Sequence, residues 1–164
     1  MKHLLFSSAA LGLLILACGL PATAQNNHLI INAMSFNYIA GTPDFTQGLG
    51  LVAGNSSSPV ADGIANVAVP QGAVVAVFKV CGRNDTNDQT FVGNLWRKTI
   101  NPANSAFAPP ELMATVQAPA GNGSMQCLKT SSITDAKIDN KNWTYFVELQ
   151  IGFTVEVISA TITY

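Results

Sequence analysis

Asn84-Asp85-Thr86-Asn87-Asp88 places five oxygen-bearing side chains at consecutive positions. Calcium takes oxygen ligands from Asp, Asn and backbone carbonyls, so Asp85, Asn87 and Asp88 are the candidate ligands of a cation-binding loop. The run is not an EF-hand, because the following glycine and the distant bidentate glutamate are missing. Asp and Asn also populate turns because they tolerate turn dihedrals and bond their own backbone. The loop therefore reads first as a hydrogen-bonded turn and second as a calcium site. No other cofactor is expected.

Aromatic residues offer a second kind of chemistry. Sugar rings stack on exposed Trp and Tyr while neighbouring Asn and Asp bond their hydroxyls. Trp96, Trp143 and Tyr145 are the candidates for such stacking. Each also falls in a strand where a large ring is ordinary core, and Trp143 shares a face with Val147 and Leu149. Core is the leading expectation for them.

Catalysis has little to work with. Of the two histidines, His3 lies at the start of the chain and His28 is the only other. A Ser-His-Asp or Cys-His arrangement needs an imidazole held against a nucleophile, and no G-x-S-x-G motif is present. One histidine and two cysteines do not make a zinc ligand set. Carboxylate pairs could serve glycoside hydrolysis: Asp85 with Asp88, or Glu148 with Glu156 if the last two strands pair. Glutamates on strands more often belong to a solvent face. No catalytic residue is expected.

The elements that must position these residues follow an export signal. Lys2 and His3 precede an apolar run, Leu4 to Leu16, too short for a permanent membrane span, and Ala22-Thr23-Ala24 supplies a cleavage site. Residues 1–24 are thus read as a signal peptide and 25–164 as a single β-sandwich domain. A minority alternative makes Ile15-Leu16-Ala17-Cys18 a lipobox and Cys18 a lipid anchor, although Leu16 is bulky for that motif. The destination is secreted, periplasmic or the cell surface, with no transmembrane segment after cleavage. Seven basic against nine acidic residues then leave a net charge of −2, with no basic footprint for nucleic acid.

Cys81 and Cys127 are left as an even pair in an oxidising compartment, which reads first as a disulfide and otherwise as buried thiols. Closing a loop of that size contributes about 4 kcal/mol in the chain-entropy picture.

Period-two patterning dominates the mature chain. Trp143, Tyr145, Val147, Leu149 and Ile151 alternate with Thr144, Phe146, Glu148 and Gln150. Thr90 to Lys98 puts Phe91, Gly93 and Leu95 on one face and Val92, Asn94 and Trp96 on the other. Ala73 to Val80 is apolar throughout and predicts a strand buried on both sides. Further strands are expected at 29–38, 66–69, 112–117, 125–130, 133–138 and 153–164, with 42–58 a long loop holding at most a short strand at 50–52. Such a series of short strands and turn clusters means an all-β fold, an antiparallel β-sandwich of jelly-roll type.

Several of these segments recur in a recognisable order: Pro70-Gln71-Gly72-Ala73-Val74-Val75, Arg83-Asn84-Asp85, Asn94-Leu95-Trp96-Arg97 and Ala136-Lys137-Ile138-Asp139-Asn140. Trp143-Thr144-Tyr145-Phe146-Val147-Glu148 and the closing Ile162-Thr163-Tyr164 complete the set. Together they resemble a loosely defined group of small exported bacterial β-sandwich proteins of unassigned function, over about residues 66 to 164. The resemblance implies the fold and carries no site residues.

The expected function is an exported, non-enzymatic structural or adhesive surface component that self-associates by strand addition. Residues 25–38 and the final strand, Phe153–Tyr164, are its candidate edges. The alternative is a monomeric carbohydrate-binding module for an extracellular polymer, with a glycan-active enzyme third.

Overall fold

The computed structural model describes residues 27–38, 45–48, 51–54, 61–84, 90–100, 108–119, 123–152 and 155–164. Eleven strands are described: β1 (His28–Asn32), β2 (Asn37–Tyr38), β3 (Phe45–Gly48), β4 (Leu51–Gly54), β5 (Ala61–Val67) and β6 (Val77–Asn84), then β7 (Phe91–Thr99), β8 (Glu111–Gln117), β9 (Met125–Thr130), β10 (Trp143–Ile151) and β11 (Val155–Thr163). They form two antiparallel sheets. The front sheet runs β2-β5-β10-β7-β8, and the back sheet runs β3-β4-β11-β6-β9 with β1 also on β11. Chain direction passes repeatedly between the sheets, which makes this a jelly-roll-like sandwich.

The inner faces interdigitate. From β10 come Tyr145, Val147, Leu149 and Ile151; from β7, Phe91 and Leu95; from β6, Phe78 and Val80; from β11, Val155, Val157, Ala160 and Ile162. Burying these rings and branched chains is the main force holding the sheets together, at about 25 cal/mol per Å² of apolar surface removed from water. The sheets pack tightly where β6 passes β7. A Cβ on Gly93 would lie 2.5 Å from Val80 Cγ2, and one on Gly82 would lie 2.9 Å from Phe91 Cε1. Glycine is needed at both places so that the facing side chain can seat.

The period-two expectation for β10 matches the observed strand residue for residue. β11 departs from a simple alternation. Its pairing with β6 shifts between Val157 and Ser159, leaving Ile158 as a bulge residue. That single insertion lets Val155 and Val157 face the core on one side of it and Ala160 and Ile162 on the other.

Three expectations about strands are corrected. Residues 73–76 do not belong to the long central strand, which begins at Val77; Val74 is exposed, and only one face of β6 is buried. Residues 133–138 form no strand. They turn at Asp135, which adopts a positive φ of 49°, and return through the bridge Val74↔Lys137. Gly72 N–H donates to Ile138 O and Ile138 N–H to Ala73 O, so these two segments satisfy each other at one end of the sandwich. The expected long loop at 42–58 contains the hairpin β3–β4, which docks on β11.

The final strand is not an edge. β11 has β6 along one side and β1 and β4 along the other. Residues 28–32 are engaged in closing β11, and backbone bonds between Asn27 and Tyr164 extend the pairing beyond the strand ends. The strand-addition surface expected at Phe153–Tyr164 is therefore already occupied within the chain.

Cys81 and Cys127 are disulfide-bonded across directly opposed positions of β6 and β9. Among the described strands β9 pairs with β6 alone, so the bond staples a terminal strand to the sheet. With a sequence separation of 46 residues, reducing it should cost about 4 kcal/mol in the chain-entropy model. Thermal unfolding with and without reductant, compared with the Cys81→Ser/Cys127→Ser double variant, should show the same lowered midpoint for both treatments.

Candidate functional site

The outer face of the front sheet is laid out by strand register. In one row Asp62 of β5 stands opposite Gln150 of β10, which stands opposite Val92 of β7. The next row is Ile64, Glu148, Asn94 and Thr115; the third is Asn66, Phe146, Trp96 and Leu112. Thr144 and Lys98 open a fourth. These side chains share one face because alternate residues of a strand point the same way. An ordinary solvent face would be dominated by Lys, Glu and Arg. This one carries two aromatic rings and a surround of amides and hydroxyls.

Trp96 and Phe146 are in direct register and stack, with centroids 6.5 Å apart and planes 17° from parallel. Trp96 is held by its indole N–H, which donates to Glu148 Oε2 at 2.8 Å. The same oxygen accepts from Asn94 Nδ2 at 3.0 Å. One carboxylate oxygen thus sets the orientation of a ring and an amide on the neighbouring strand, and both bonds are charge-assisted. Asn94 is only 8% exposed although it lies on the outer face. A bulge next to Trp96, where the β7–β8 register shifts so that Met113 is extra, bends the edge strand at this point.

Asp62 completes the polar set. Its Oδ1 is shut off from solvent and has no hydrogen-bond donor. Burial, and after it the negative charge of Glu148, push its carboxyl above the usual aspartate range. Asp62 was not foreseen as a site residue, and neither were Asn94 and Phe146; Glu148 was considered only as a carboxylate paired with Glu156. A signal for Phe146 existed: on β10 this aromatic residue occupies the otherwise polar face of an alternating strand.

The three aromatic candidates fare differently. Trp96 lies on the outer face, as described. Tyr145 is a correction: it is 2% exposed, faces the core, and its hydroxyl accepts from Asp139 N–H, so it presents no ring to a ligand. Trp143 begins β10 on the inner-face parity and packs partly against the core, with the Arg97 guanidinium 4.1 Å from its ring centroid. Arg97 is fixed in turn by Glu111 and Asp135. Trp143 borders an open depression of about 500 Å³ that also takes in Pro70, Ile100, Asn140 and Thr144.

Glu148 and Glu156 do not make a carboxylate pair. They lie in different sheets, and Glu156 is bonded to Arg83 at 2.8 Å. The calcium candidates Asp85, Asn87 and Asp88 lie outside the described residues. Among the described residues no group of three or more His, Cys, Asp or Glu could hold a metal ion, and no helix is long and apolar enough to cross a membrane.

No family model matches the chain, and no curated protein does. Solved structures do. A xylan-binding module of family 15 aligns over 85% of this chain and 97% of its own, with a TM-score of 0.53 and 11% identity. A family 6 carbohydrate-binding module aligns over 82% and 92%, with a TM-score of 0.50 and 16% identity. The C-terminal family 6 module of a laminarinase from Zobellia galactanivorans covers 84% of this chain and all of its own, with a TM-score of 0.49 and 12% identity. At such identities the likeness is one of fold, an antiparallel β-sandwich of the kind used by binding modules. The expectation of a structural or adhesive surface component is overturned: the two solved sandwiches aligned above at TM-scores of 0.50 and 0.53 are carbohydrate-binding modules, and the final strand that was to mediate assembly is interior to its sheet.

The environment of Asp62 has a measurable consequence. A carboxyl whose folded pKa is raised favours folding only below its unfolded pKa, and that contribution is lost as pH rises through the folded value. Asp62→Asn should therefore be more stable than the parent at neutral pH, and the difference should vanish on acidification below the ordinary aspartate range. Urea unfolding of both proteins across pH tests this; equal stability at neutral pH would mean the site carries no such strain.

Proposed function

We propose that the chain is a non-catalytic carbohydrate-binding module whose ligand lies on the outer face of the front sheet. The observation that carries this reading is the Trp96–Phe146 pair, set in register and surrounded by Asn66, Asn94, Thr115 and Gln150. A pyranose ring has an apolar C–H face and a rim of hydroxyls. Aromatic surface accepts the first, and amide and hydroxyl side chains accept and donate to the second.

Preorganisation strengthens the case. Glu148 holds Trp96 and Asn94 in place before any ligand arrives, so little side-chain entropy is left to lose on binding. A strand-borne platform is also more rigid than one on loops. The shared architecture with family 6 and family 15 modules is consistent with this use of the face. Export is part of the same proposal: the Cys81–Cys127 bond suits an oxidising compartment, where extracellular polymers are met.

Affinity electrophoresis against soluble xylan, mixed-linkage β-glucan and chitosan is the direct test. At least one should retard the parent protein. Trp96→Ala should weaken that binding by about thirtyfold, the effect of losing a central aromatic anchor, while the thermal midpoint changes little. Retardation that is unaffected by Trp96→Ala would place the ligand elsewhere and refute the reading.

A further inference from the structure

The charge on the front-sheet face is not balanced from within. Asp62 and Glu148 are diagonal neighbours across β5 and β10, since Glu148 pairs with Ile64 and Asp62 with Gln150. Lys98 is the one basic residue in the described rows of that face, and it stands opposite Thr144. Four residues of strand separate it from Asn94, the partner of Glu148, or roughly 13 Å at the usual strand rise. That exceeds the Debye length of about 8 Å at physiological salt, so Lys98 screens the carboxylates poorly. Arg97 does not compensate either, being bonded to Glu111 and Asp135 and laid over Trp143.

The hydrogen-bond inventory points the same way. Glu148 Oε2 already accepts from Trp96 and Asn94. Asp62 Oδ1 accepts from nothing and is cut off from water. With no donor among the described residues to offset Asp62, the negative charge of the two neighbouring carboxylates stands uncompensated beside an aromatic pair. A donor that carries positive charge gains from both carboxylates and from the ring face of Trp96.

We infer that this face selects its glycan by charge, taking hexosamine chains with free amino groups and turning away chains that carry uronates. The inference rests on the reading of the face as a glycan site and specifies its ligand class. The ammonium of such a sugar sets a positive charge against the two carboxylates and relieves the repulsion between Asp62 and Glu148. N-acetylation removes the charge and two of the three donors. A uronate brings a third carboxylate to a face that already holds two.

Calorimetric titration of the full chain at about pH 6, where free carboxylates are ionised, would decide the matter. The probes are glucosamine, N-acetylglucosamine, xylose and galacturonate oligomers of matched length. The expected result is glucosamine binding about fivefold tighter than its acetylated counterpart, with galacturonate weakest. Asp62→Asn should bring the glucosamine-to-acetylated ratio towards one. Glu156→Gln, which removes the same charge from the back sheet, should leave that ratio unchanged. Equal affinity for the free and acetylated oligomers, tighter binding of galacturonate, or an equal effect of the two variants would each overturn the inference. If xylose oligomers bind through Trp96 without any preference for amines, the charge selection falls and the glycan reading stands. If none of the oligomers binds, both fall.

Discussion

The pleat of β10 is the constraint on which the rest of the molecule depends. This strand lies in the middle of the front sheet, between β5 and β7, and every second residue must serve a different environment. Tyr145, Val147, Leu149 and Ile151 close the core, while Thr144, Phe146, Glu148 and Gln150 form the spine of the outer face. A slip of one residue would exchange the two sets, bury a glutamate without its partners and expose the core. The core packing therefore also fixes where the outer residues stand. The fold does not need a separate device to build a site on that face; it needs only that the outward residues be the right ones.

Glu148 is what turns a row of outward residues into an organised surface. Its Oε2 receives Asn94 and Trp96 together, from positions two residues apart on the same strand. Trp96 then meets Phe146 across the ladder. A carboxylate with two good donors is well satisfied, whereas Asp62 close by is not. The two acids thus differ in role through environment alone: one orients neighbours, and the other is held with unmet bonding capacity. Unmet capacity of this kind costs folding stability.

The back sheet bears the structural duties. Its outer surface carries the Cys81–Cys127 bond and the Arg83–Glu156 ion pair, and β11 runs through its interior with a bulge at Ile158. The bulge matters because β11 must present Val155 and Val157 as well as Ala160 and Ile162 to a single core. At one end, the crossing of residues 72–75 with 136–138 and the turn at Asp139 close the sandwich. Asp139 accepts from Asn142 Nδ2 there, and this bond, followed by others from Lys141 and Gln71, holds its carboxyl below the usual range. Tyr145, lost as a stacking candidate, serves this closure through its hydroxyl.

The β-rich class, the alternation of β10 and the pairing of two cysteines were legible from residue types and spacing, because these are local properties of a pleated strand or a count of thiols; the outer position of Trp96, whose ring was expected in the core, was not. Local patterning could not show that Ala73-Val74-Val75-Ala76 leaves the sheet, since an apolar run looks the same whether it pairs with a strand or with a distant turn. It also misplaced Phe153–Tyr164 as an edge, because the position of a strand in its sheet is set by which segments pair with it, and those lie more than a hundred residues away at β1. The site had the same limit. Asp62, Asn94, Trp96, Phe146 and Glu148 come from three strands and share nothing in sequence that marks them as a group. Sequence alone determined which way the side chains of β7 and β10 alternate, though not the bulges that interrupt β8 and β11. Only the tertiary structure decided which strands stand side by side, because cross-strand register is a long-range agreement imposed by the core, and that register is what gathers two rings, two carboxylates and a row of amides onto one face.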